Sequence, residues 1–206
     1  GPALWRIAER DGDAWLRACA PPFWGRPGRR RAEQDAARLF RRTEREVPRV
    51  AGIAPKSVFQ VGGAVAVGTG SIRGMPLLAR LHDAGWRVWP FTDGDRAGAP
   101  TVDEIYPRLL TGAVNKASFA ARAEYLRYRF PRLAAEPGVV ASSSEDAFDA
   151  AVSALVMAEH AGSLATLPPA RDDVERIEGA IWWPRCSSKS GEHGSTKSTG
   201  SSGIAP

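Results

Sequence analysis

An α/β fold is predicted by three features of the chain. Short apolar runs with strand character, Trp86 to Phe91 and Val102 to Tyr106, stand among longer stretches with helical periodicity. One helical stretch, Ser142 to His160 (SSSEDAFDAAVSALVMAEH), joins a capping signature to an alanine-rich run. With 206 residues, 43% of them hydrophobic and seven of them tryptophan, the chain can bury one sizeable core. It therefore reads as one domain over residues 1–185, followed by a disordered tail over 186–206. The Ser, Gly, Thr and Lys of that tail cannot bury enough surface to offset their conformational entropy.

Ala3 to Ala20 reads as an amphipathic helix with Leu4, Ile7, Ala8, Trp15 and Cys19 near one face, interrupted at Asp11-Gly12-Asp13. Pro21 to Gly28 is proline- and glycine-rich and must be a loop. A charged helix is expected from Arg31 to Glu46, then a link through Pro48 and Pro55. Val58 to Val67 is apolar but broken by Gly62 and Gly63, and Gly68, Gly70 and Gly74 follow closely. Glycines before a helix let backbone amides approach an anion, with Ser71 and Arg73 as added donors. The pattern is neither a Walker loop nor a GxGxxG fingerprint, and tight packing explains the glycines equally well. Met75 to His82 continues as helix, ended at Gly85, and Trp86 to Phe91 is the first strand.

After a turn-rich stretch, the second strand places Val102, Glu104 and Tyr106 on one face and Asp103 and Ile105 on the other, and Pro107 stops it. A carboxylate near the end of such a strand is a site position in an α/β protein, because ligands gather at the carboxyl ends of parallel strands. Lys116 leads into a helix carrying Phe119, Arg122, Ala123 and Leu126 that ends before Pro131. Val139 to Ala141 is expected as a brief strand entering the Ser142 to His160 helix. On that helix Phe148, Val152, Leu155 and Val156 form an apolar stripe, with Asp146, Asp149 and Ser153 on a neighbouring face. Residues 162–173 read as loop, and Glu178 to Pro184 as a closing apolar segment.

Glu145 and Asp146 suit the positive end of the helix dipole. Asp149 lies a turn deeper and must find a cation, a donor or water. It is either half of a structural pair with an arginine or part of a metal or acid–base site. The net charge of +5 is concentrated between Arg26 and Arg49, where nine arginines face four acids. That surplus, beside Phe23 and Trp24, suits nucleic acid through Arg26, Arg29, Arg30, Arg31 and Trp24, or else forms a solvated face with two aromatics pinning a loop. Cys19 and Cys186 are far apart and His82, His160 and His193 scattered, so neither a disulfide framework nor a zinc site is implied. No apolar run approaches a membrane span and no signal peptide is visible, and a cytoplasmic setting is expected.

The stretches FQVGGAVAVGTGSIRGMPLLARL, WRVWPF, VDEIYPRLLTGAVNKASFAARAEYL, SEDAFDAAVSAL and EGAIWWP, in this order and spacing, resemble domain of unknown function 429, from about Leu4 to Pro184. The resemblance implies an RNase H-like three-layer fold and a nuclease that hydrolyses nucleic-acid phosphodiesters with Mg²⁺ or Mn²⁺. Carried over residue by residue, it implies Glu104 and Asp149 as metal ligands, Asp146 as an auxiliary carboxylate, and Lys116 and Arg122 as phosphate contacts. The family's opening strand with its aspartate and its Asp-x-Pro motif have no counterpart before Leu4. A chain lacking its N-terminal strands, with part of the ligand set and an open sheet edge, is the resulting expectation. A non-catalytic nucleic-acid-binding or protein-interaction domain is the alternative.

Overall fold

The computed structural model describes residues 1–28, 38–63, 66–92 and 98–184 and shows a mixed α/β protein. Helices α1 (Pro2–Ala18), α2 (Arg42–Glu46) and α3 (Val67–Asp83) precede strands β1 (Arg87–Val88), β2 (Thr101–Val102) and β3 (Glu104–Ile105). Then come α4 (Pro107–Thr111), α5 (Phe119–Arg129), α6 (Ala135–Ser142), α7 (Glu145–Glu159), α8 (Ala161–Ala165), α9 (Asp173–Glu178) and β4 (Ile181–Trp182).

Buried Trp5, Ala8, Gly12 and Leu16 recur along α1 at helical spacing and turn that face toward α3. Asp11-Gly12-Asp13 does not interrupt the helix. A Cβ on Gly12 would stand 2.8 Å from the Ile72 side chain, so the glycine marks the close approach of the two helices. The glycines at 68, 70 and 74 likewise lie inside α3, which starts at Val67 rather than after a loop. A Cβ on Gly68 would stand 2.1 Å from the Val58 carbonyl oxygen. Tight packing, not an anion-binding loop, accounts for that residue.

The strands are shorter than their sequence runs. Arg87 and Val88 pair in parallel with Thr101 and Val102, while Glu104 and Ile105 pair in parallel with Ile181 and Trp182. The stretch 101–105 thus serves two ladders, one in each half. Pro90 has no N–H to offer a ladder, which ends the first strand early, and Pro107 opens α4.

Three further expectations are corrected. Residues 139–141 are helix, the end of α6, whose Pro137 falls in the first turn where a missing N–H costs little. Within the expected loop of residues 162–173, Gly162 to Ala165 belong to α8. Of the charged segment Arg31 to Glu46, only α2 is helical among the described residues, and residues 29–37 lie outside them. The tail from Arg185 onward lies outside them too.

The main core sits where α4, α5, α6 and α7 meet the strands, built on Phe148 and Val152, with Leu110, Leu126, Phe130, Val156 and Trp182. The stripe expected on α7 is therefore its buried face. Its cap is Ser144, whose Oγ accepts from the Ala147 N–H at 3.0 Å, while Ser142 closes α6. Two smaller clusters, Leu16–Cys19–Val61–Ile72 and Trp5–Ala79–Val88, lie on the α1–α3 side.

Candidate functional site

Glu104 is held by Arg41. Both carboxylate oxygens accept from the guanidinium, Oε2 from Nη1 at 2.8 Å and Oε1 from Nη2 at 2.5 Å. Arg41 is buried to 11% side-chain exposure, against 43% for Glu104, and it also donates to Glu44 Oε1 and to the Glu178 carbonyl, each at 3.0 Å. Burial works against the guanidinium charge, but the bonds to Glu104 and Glu44 outweigh it and hold its pKa above the ordinary value. Burial of Glu44 pushes that carboxyl upward, with Arg41 and the N–H groups of Arg41 and Val58 pulling it back. One cation therefore serves two carboxylates.

Asp149 is held by Lys116, Nζ to Oδ2 at 2.5 Å, with side-chain exposures of 13% and 21%. Its Oδ1 is buried with no hydrogen-bond partner among the described residues, and the same holds for Ser153 Oγ one turn on. Arg122 is buried and turned inward. Its Nε donates to the Ser142 carbonyl at 2.9 Å and its Nη1 to the Lys116 carbonyl, so it fixes the segment carrying Lys116 against the end of α6. Asp146 is exposed in the first turn of α7. The helix α4 packs against α7, and burial raises the pKa of Tyr106 just before it, Arg108 lowers it and the Asp149 charge adds a smaller upward push.

Glu104 and Asp149 thus each face a cation, Arg41 and Lys116, with Arg41 shared with Glu44. Among the described residues no group of three His, Cys, Asp or Glu side chains is gathered to hold a metal ion. As to fit, both Glu104 oxygens are taken by Arg41, whereas Asp149 Oδ1 has no hydrogen bond among the described residues and Asp146 lies on the same helix face one turn earlier. The Asp146–Asp149 pair is where a cation could be received.

Arg73 sits in the interior of α3, exposed, 3.7 Å from Asp13. Trp24 exchanges backbone bonds with Phe59 and Val61, and Phe23 packs on the Leu16–Ile72 cluster, so the Trp24 backbone and the Phe23 ring anchor this loop. Arg26 is exposed, and Arg29, Arg30 and Arg31 lie outside the described residues. Sequence reasoning missed Arg41 and Glu44. The one signal was local: an Arg three residues before a Glu inside the arginine-rich stretch.

Comparison with known proteins adds no relative: no family model, no curated protein and no solved structure matches the chain.

Proposed function

We propose that this chain is an RNase H-like domain of the domain of unknown function 429 type, acting in metal-dependent hydrolysis of nucleic-acid phosphodiesters in the cytoplasm. The observation that carries the reading is Asp149, a half-buried carboxylate on an apolar helix with one oxygen unpartnered among the described residues and the other on Lys116. The sequence motifs support it, and a single free cysteine among the described residues, Cys19, suits a reducing compartment.

In this reading Asp149, with Asp146, receives Mg²⁺ or Mn²⁺, which activates water and stabilises the leaving oxygen when bound. Lys116 holds the Asp149 carboxylate in one orientation and brings a positive charge beside the scissile phosphate. Arg122 acts as a positioning residue through the Lys116 carbonyl. Glu104 joins the site only when released by Arg41. That bidentate pair favours a second reading, a non-catalytic domain in which the acids are structural.

Calorimetric titration of Mn²⁺ into the protein and into Asp149→Ala, followed by Mg²⁺-dependent cleavage of single- and double-stranded substrates, separates the two. The hydrolase reading expects metal binding that disappears in Asp149→Ala and cleavage that disappears with it. Cleavage unchanged in Asp149→Ala, or no binding and no cleavage in the parent chain, would overturn it.

A further inference from the structure

Six side-chain nitrogen or oxygen atoms among the described residues are buried without a hydrogen-bond partner. Three of them, Thr111 Oγ1, Asp149 Oδ1 and Ser153 Oγ, lie on α4 and α7, two helices packed against each other. An orphaned polar atom out of reach of solvent costs stability, so three on one helix pair point to an occupant.

Ser153 is 4% exposed and stands one turn beyond Asp149 on the same face of α7. Residues four apart on a helix have their Cβ atoms about 5–6 Å from each other. That spacing brings the hydroxyl beside the carboxylate, yet neither bonds the other, and both oxygens keep their lone pairs. Lys116 holds only Oδ2 of the same carboxylate. Two neighbouring acceptors that face no donor suit a positive ion between them.

We propose that Ser153 is a ligand of the divalent-cation site at Asp149, its Oγ and Asp149 Oδ1 being the two protein oxygens that touch the ion. The inference rests on the hydrolase reading and adds a residue to its metal site. Mg²⁺ and Mn²⁺ favour oxygen ligands, and Mg²⁺ keeps several waters when the protein offers few. Asp146 lies seven residues from Ser153, about 10 Å along the helix, so it acts through that water shell rather than beside the hydroxyl. Lys116 offsets the Asp149 charge, which sets the affinity in the weak range of roughly 10⁻⁴–10⁻³ M. A trapped water would satisfy the same two oxygens, but removing the hydroxyl would then leave ion binding untouched.

The test follows Mn²⁺ binding through the paramagnetic resonance of the free ion, with metal-free melting beside it, for the parent, Asp149→Ala, Ser153→Ala and Ser153→Cys. Ser153→Ala should weaken Mn²⁺ binding about tenfold. Its metal-free melting temperature should stay the same or rise, because alanine favours helix and the orphaned hydroxyl is gone. Ser153→Cys sets a soft thiol in place of the hydroxyl and should make Cd²⁺ displace bound Mn²⁺ at about tenfold lower concentration than in the parent. Displacement reads this site and not Cys19 or Cys186. Mn²⁺ affinity lost in Asp149→Ala but unchanged in Ser153→Ala would overturn the inference and leave the hydrolase reading standing. Binding that depends on Ser153 without cleavage of nucleic acid would support the inference and overturn that reading. No Mn²⁺ binding by the parent, or a Ser153→Ala variant whose melting temperature falls together with its affinity, would also overturn the inference.

Discussion

Asp103 shows how one buried carboxyl sets a pH dependence. Burial raises its pKa above the ordinary 3.8, and the Arg87 charge offsets this only in part. The folded chain therefore holds the proton more tightly than the unfolded one. Its contribution is at its best below the ordinary value and is lost as pH rises through the raised folded pKa. Asp103→Asn should melt higher than the parent at pH 7, with the gap closing toward pH 3. Parallel melting curves across that range would show that the carboxyl carries no such penalty. Individual residues were legible in the sequence where periodicity governs them: Phe148 and Val152, both 0% exposed, fall on the stripe read from α7. The Arg41–Glu104 pair was not legible, since its partners are 63 residues apart and nine arginines in the same stretch look alike until the fold selects one.

At the scale of elements, α3 shows why the glycine-rich stretch was read as a loop. Glycine disfavours helix interiors, but packing against the Val58 carbonyl and against α1 outweighs that preference. Gly68→Ala should cost about 1–3 kcal/mol, because its Cβ meets backbone that cannot step aside. Gly74→Ala in the same helix should be neutral or stabilise by up to about 1 kcal/mol. Equal urea midpoints for the two variants would refute this account. The helices α5 and α7 were legible because each carries its own apolar spacing, whereas on α1 the helix was legible but its face was not: Leu4 and Ile7, read as part of the stripe, are exposed, and Trp5, Ala8, Gly12 and Leu16 are the buried ones. The residues 139–141 were not, since three β-branched or small apolar residues fit a strand or a buried helix turn equally well.

Across the whole molecule, ion pairs join distant segments. Arg42 grips Asp172 at 2.7 Å and 2.8 Å, Arg171 reaches Glu46 at 2.9 Å, and the Arg42 N–H donates to Glu178. Arg42 holds the Asp172 carboxyl well below the usual carboxylate range. At least two of the arginines that suggested a nucleic-acid surface thus face other parts of the same chain. Removing the buried one is the severe case: Arg41→Ala leaves Glu44, 4% exposed, without its cation and should cost about 3–5 kcal/mol in chemical denaturation. Arg41→Met with Glu44→Met should recover most of that loss, and a double variant no better than the single one would refute the pairing as the cause. The mixed α/β class was legible at this scale, whereas the sharing of 101–105 between two ladders needed one partner shortly before it, at 87–88, and another far after it, at 181–182. The Glu178 carbonyl that Arg41 binds stands 137 residues further along the chain, and the Thr43 hydroxyl is as far from the Ile181 N–H it receives. Bonds of such sequence separation form only after a long loop has closed, so the α2–β4 junction is a slow-forming seam that local helices such as α7 do not have to wait for.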